Sequence, residues 1–163
     1  MRIKRGKKYH KFVNFYRVVY KFVPPFKVLL DGNFIFSCTK NSLDLKPNLQ
    51  KILQDQPLMF MTKCILRELE NLKSQDIPFI KETLAACAKI VKLPCKHSGG
   101  ILNPDECIKN FVGSKNESKV FVGTNDEALR NYFRNELGTV PLFFLQNNVL
   151  IMDSPSDVSQ AKF

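Results

Sequence analysis

The chain has 163 residues, of which 44% are hydrophobic and 11% aromatic, and a formal net charge of +10. That length supports one hydrophobic core rather than two, and no apolar run approaches the roughly 18 residues that cross a bilayer or forms a signal peptide's apolar segment. The expectation is a soluble intracellular domain, so its five cysteines serve burial, metal binding or catalysis rather than a disulfide framework.

The charge is concentrated at the start. Arg2, Lys4, Arg5, Lys7, Lys8, Lys11, Arg17, Lys21 and Lys27 precede the first acid, Asp31, and the rest of the chain is nearly neutral. The cations of MRIKRGKKYHKFVNFYRVVYKFVPP are interleaved with Tyr9, His10, Phe12, Phe15, Tyr16 and Tyr20, and the second half has helix-like apolar spacing before Pro24 and Pro25 stop it. A presequence is disfavoured by the absence of serine, a localisation patch is compatible with any nuclear role, and a solvated helix face ordinarily mixes charge signs. Residues 1–25 therefore read as a nucleic-acid-binding arm that uses Arg2, Lys4, Arg5, Lys7, Lys8, Lys11 and Arg17 on phosphates and the aromatics for stacking.

Beyond the prolines, FKVLL (26–30), LMFMT (58–62), KVFVG (119–123) and PLFFL (141–145) read as buried strands, with VLIMD (149–153) as an edge. Amphipathic patterns fall between them around 40–54, 63–74, 78–92, 104–112 and 125–136. This alternation predicts an α/β domain over 26–153 with a parallel sheet and helices on both faces, followed by a frayed tail at 154–163.

Ligands gather beyond the carboxyl ends of parallel strands. Asp31 follows the first strand, Asp126 follows the third, and Glu68 lies about one helical turn beyond the second. Three carboxylates facing one cleft would suit Mg²⁺ or Mn²⁺ and phosphodiester chemistry. Each has a plainer reading: Asp31-Gly32 is a hairpin signal, Asp126 suits the first turn of a helix, Thr124 with Glu127 spells a capping box, and Glu68 fits a solvated helix face.

The segment CAKIVKLPCKHSGGILNPDEC (87–107) carries a second constellation. Cys87, Cys95, His97 and Cys107 form C-x7-C-x-H-x9-C, a thiolate and imidazole set suited to tetrahedral Zn²⁺ although the spacing is not a common finger. Cys95 and His97 share a loop, and Cys107 sits in a helix opened by Asn103 and Pro104. The alternative is two buried helix cysteines and a loop histidine. Cys64, on an apolar helix stripe, reads as core.

Taken in order, the basic leader, VLLDGN, TKCILRELENL, the C…C-x-H…PDEC segment, KVFVGTNDEALRNYFR and VPLFFLQNNVLIMD resemble the Utp23 family of PIN-domain rRNA-processing factors, close to the Fcf1 group. The resemblance implies a PIN-like three-layer αβα sandwich with a structural zinc module at 87–107 inserted in it. It also implies a nuclear, nucleolar assembly factor of the small-subunit processome that works in early pre-rRNA processing, with pre-rRNA, an H/ACA-box snoRNA and processome proteins as partners. Neither a membrane nor a small-molecule substrate is expected. Asp31, Glu68 and Asp126 keep part of the family's acidic set, whereas Ala128 and Gly32 stand where active members tend to have an aspartate and a small hydroxyl residue. The implied nuclease site is degenerate, with weak metal-dependent endoribonuclease action on pre-rRNA as the alternative.

Overall fold

The computed structural model describes residues 3–161; Arg2 and the last two residues of the expected tail lie outside that range, as does the side chain of Lys4. The helices are α1 (Ile3–Val19), α2 (Gly32–Lys40), α3 (Leu45–Leu53), α4 (Lys63–Asn71), α5 (Ile80–Cys87), α6 (Pro104–Val112), α7 (Glu127–Tyr132) and α8 (Asp157–Ala161). The strands are β1 (Phe26–Leu30), β2 (Pro57–Thr62), β3 (Val91–Leu93), β4 (Val120–Gly123), β5 (Leu142–Gln146) and β6 (Val149–Met152). They form one sheet in the order β3-β2-β1-β4-β5-β6, parallel throughout except that β6 runs antiparallel to β5.

The four apolar runs predicted as strands are β1, β2, β4 and β5. Their near-continuous hydrophobicity reflects central parallel strands whose side chains are buried on both faces, and β4 is buried along its whole length. Phe121 anchors the centre: its ring stacks on Phe143 at 5.7 Å and meets Phe22 and Phe26 edge-on at 5.3 and 5.5 Å. The helices fall into two packed sets, α2 with α4 and α5 and α4 with α6 in one, α1 with α3 in the other.

Four local expectations differ. The basic leader is not a separate arm, because α1 turns Tyr9, Val13 and Tyr16 into the core at helical spacing, and Phe22 follows them. Tyr9 and Tyr16 are therefore unavailable for base stacking, while the side chains of Arg5, Lys7, Lys8, Lys11 and Arg17 remain exposed. Asp31-Gly32 makes no hairpin: Asp31 is the N-cap of α2, and a Cβ at Gly32 would sit 3.1 Å from Leu69 Cγ, so glycine permits α2 to close on α4. The helical pattern at 78–92 ends at Cys87, and its last residues form β3 against β2. Finally, α8 in the tail is docked: Tyr20 donates its hydroxyl to the Ser159 carbonyl at 2.5 Å, and Ser156 and Ser159 are buried. Among the described residues no helix is long and apolar enough to cross a membrane.

Candidate metal centre and acidic cleft

The strand order reverses at β1, which is flanked by β2 and β4, and the crevice at such a switch point is where α/β sheets bind ligands. The Asp31 N–H donates to the Gly123 carbonyl at 2.9 Å, tying the ends of β1 and β4 together. The Thr124 hydroxyl donates to Asp31 Oδ2 at 2.9 Å and accepts from the Asp126 N–H at 3.1 Å. Asp126 is the N-cap of α7, its Oδ1 accepting from the Leu129 N–H at 3.2 Å. The predicted Thr124–Glu127 capping box is therefore absent; the helix starts three residues after Thr124, whose hydroxyl is already committed to Asp31.

Burial pushes the Asp31 carboxyl up to about 6, against the lowering effect of the Thr124 hydroxyl and with a further rise from the Glu68 carboxylate. Glu68, on α4, is raised by its partial burial and by Asp105. Asp105, in the first turn of α6, is thus within electrostatic reach of Glu68, which in turn acts on Asp31. Sequence reasoning passed over Asp105 because a first-turn carboxylate reads as a partner of the helix dipole, and its approach to Glu68 is made by the packing of α4 on α6. These carboxylates feel one another but do not converge as a ligand cage. Among the described residues, the group of metal-binding side chains whose ligand atoms cluster is elsewhere.

That group is Cys64, Cys95, His97 and Cys107, with all ligand atoms within 4.8 Å of one another. Cys64 Sγ lies 3.3 Å from His97 Nε2 and 3.7 Å from Cys95 Sγ, and Cys107 Sγ lies 3.6 Å from Cys95 Sγ. A four-coordinate ion with metal–sulfur bonds near 2.3 Å requires S···S edges of about 3.8 Å, and the Cys64–Cys95 and Cys95–Cys107 separations match that edge. The Cys95 thiol is held below its ordinary range: burial pushes it up, but hydrogen bonds from Cys64, Cys107 and Thr62 outweigh this. Cys107 is pushed up to about 12, chiefly by burial.

The sequence expectation grouped Cys95, His97 and Cys107 with Cys87, whereas the structure gathers those three with Cys64. Cys87 is buried in the core at the end of α5, its thiol raised by burial and its carbonyl taken by Lys92 Nζ. Cys64 occupies the position assigned to it because β2 and β3 are parallel with Thr62 opposite Leu93; two residues further along each chain stand Cys64 and Cys95. One face of α4 then carries Cys64 and, a turn later, Glu68, while α6 carries Asp105 and Cys107. The metal donors thereby bridge the helices that present two cleft acids.

The exposed face of α1 is the third feature. Among the described residues a single ion pair is present, Arg134–Asp153 at 3.3 Å, so the cations of α1 have no carboxylate partner. Lys8 Nζ lies 5.8 Å from the centre of the Phe12 ring, which keeps it at the surface.

A mostly parallel sheet in this order, with carboxylates at its switch point, defines a PIN-type α/β domain. The PIN domain endonuclease Utp24 has a similar structure, with a TM-score of 0.70 and 28% identity, covering 83% of this chain and 97% of that one. The Fcf1 family pattern matches residues 51–154, and the chain belongs to that family. It is 29% identical over 158 residues to the rRNA-processing protein utp23 of Schizosaccharomyces pombe, covering 96% of this chain and 59% of the relative. It is also 28% identical over 135 residues to the rRNA-processing protein FCF1 of Saccharomyces cerevisiae, covering 83% of this chain and 68% of the relative. The chain thus spans about three-fifths of the length of the utp23 relative.

Proposed function

We propose that this chain is an RNA-binding factor of ribosome biogenesis that acts in rRNA processing within the small-subunit processome, in the nucleus and nucleolus, and holds its RNA without needing to cut it. The observation that carries this reading is the acid-free face of α1, whose exposed Arg5, Lys7, Lys8, Lys11 and Arg17 lack carboxylate partners on a domain of the PIN type. Its relatives are named rRNA-processing proteins, which supports pre-rRNA as the polyanion; an H/ACA-box snoRNA and processome proteins are the further partners proposed. Arg2 and Lys4 belong to the same cationic leader.

The ion proposed for Cys64, Cys95, His97 and Cys107 is Zn²⁺, because three thiolates and one imidazole gathered within 4.8 Å suit it better than harder ions. When bound, it supplies a fixed cross-link between α4, the loop after β3 and α6. Here it braces structure, since all four positions are taken by protein donors.

The acidic cleft is proposed as vestigial. Asp126 Oδ1 caps α7, the exposed Ala128 offers no oxygen, and Asp31, Glu68 and Asp126 do not gather into a cage among the described residues, so no hydrolytic step is derived. Asp105 is the observation on the side of a second reading, metal-dependent cleavage. Binding of labelled pre-rRNA fragments across a salt series, with and without Mn²⁺, tests both. The binding reading expects a steep salt slope and intact RNA. Cleavage that Asp31→Asn abolishes would replace it with the second.

A further inference from the structure

Between α1, α3 and β6 lies a groove of about 500 Å³ lined by Arg5, Tyr9, Asn48, Lys51, Ile52 and the β6 residues Val149 and Leu150. Its composition is graded. Tyr9, Ile52 and Leu150 are almost fully buried and form an apolar floor, with the half-open Val149 at the edge. Arg5 and Lys51 are exposed at the rim, carried by different helices, and neither has a carboxylate partner among the described residues; no acid lines the groove. Asn48 Nδ2 donates to the Asp44 carbonyl at 2.7 Å, which fixes the side chain and leaves its Oδ1 and second N–H for a ligand.

The open side of Val149, one fixed amide and two cations of like sign form a complement to a nucleotide: base against Val149, amide at a base edge, phosphate at the cations. Two unpaired cations converging on one groove repel each other until an anion lies between them. The groove also does not end at one phosphate. Lys8, exposed and about 4.5 Å of helix rise beyond Arg5 on a neighbouring face of α1, continues the cationic edge, which suits a strand rather than a free nucleotide.

We infer that this groove seats one unstacked nucleotide of a single-stranded RNA, with Lys51 and Arg5 on its phosphate and Asn48 on its base, while α1 carries the adjoining backbone. The inference rests on the RNA-binding reading above and adds α3 and β6 to the surface that reading assigned to the leader alone.

The test uses the intact, metal-loaded protein and a fluorescent single-stranded oligouridylate, with affinity measured by anisotropy across a salt series. Lys51→Glu is expected to weaken binding about tenfold, and Lys51→Gln to lower the log–log salt slope by about 0.7, the value for one lost phosphate contact on a single strand. Asn48→Ala is expected to weaken binding about threefold with the slope unchanged. Lys73→Glu, an exposed lysine remote from the groove, serves as control and stays within twofold. Photocrosslinking with 4-thiouridine RNA should label the peptide containing Val149. If both Lys51 variants bind as wild type does and the crosslink falls elsewhere, the groove is refuted while RNA binding stands. If wild type ignores the RNA, both readings fall. Displacement of the oligonucleotide by millimolar adenosine monophosphate would overturn the strand in favour of a free nucleotide.

Discussion

Asp31→Asn should stabilise the protein at neutral pH, and the gain should grow with pH. Asp31 is 6% exposed and its carboxyl is pushed up to about 6 by burial, from an ordinary value of 3.8. Because the folded value is the higher one, the native state holds more protons than the unfolded chain in the window between them. Stability therefore falls as pH rises through that window and levels off above about 6. Linkage puts the ionisation penalty at about 1.6 kcal/mol at pH 5 and about 3 kcal/mol at pH 7.5. The asparagine variant escapes this but presents an amide N–H with no evident acceptor, a loss of about 1 kcal/mol that does not depend on pH. The variant is thus expected to be about 2 kcal/mol more stable than wild type at pH 7.5, with an advantage smaller by about 1.4 kcal/mol at pH 5. Urea unfolding of both proteins at the two pH values, in buffer free of Mg²⁺ and Mn²⁺, measures the difference; changes at the cysteine centre affect both proteins alike and cancel. A gap that does not change with pH, or an asparagine variant less stable than wild type at pH 7.5, would refute the reasoning.

Cys64→Ser is expected to remove the single equivalent of bound metal and to lower the melting temperature, whereas Cys87→Ser keeps the metal and destabilises only through a polar atom in the core; metal analysis of the purified proteins separates them. Gly138 has φ +69, and a Cβ there would lie 2.6 Å from the Ser159 backbone nitrogen, so Gly138→Ala should cost about 2 kcal/mol and release α8, seen as faster hydrogen exchange in residues 157–161. Truncating the central ring, Phe121→Ala, should cost about 3–5 kcal/mol in equilibrium unfolding, because its contacts with Phe22, Phe26 and Phe143 are lost together.

The carboxylates show where sequence reading reaches its range. Asp31 and Asp126 were legible because each follows an apolar run that only a buried parallel strand explains, and strand ends are where such a sheet exposes chemistry. Asp105 was not, since its link to Glu68 is made by the packing of α4 on α6 and leaves no trace in local spacing. The same holds for the leader. Its charge is plain in the sequence, but whether its tyrosines face a nucleic acid or the core depends on which helix face meets the sheet.

The sequence by itself determined the class of the molecule: hydrophobic period places the strands, turn and cap residues divide them, and an acid-free run of cations sets the charge of the leader. Only the tertiary structure decided the fourth member of the Cys/His group. Cys64 and Cys95 are brought together by the parallel register of β2 and β3, in which Thr62 stands opposite Leu93. Hydrogen bonding between distant strands sets that register, and neither residue's neighbours along the chain encode it. Cys87, nearer in sequence, was turned inward because α5 needed an apolar residue on its buried face.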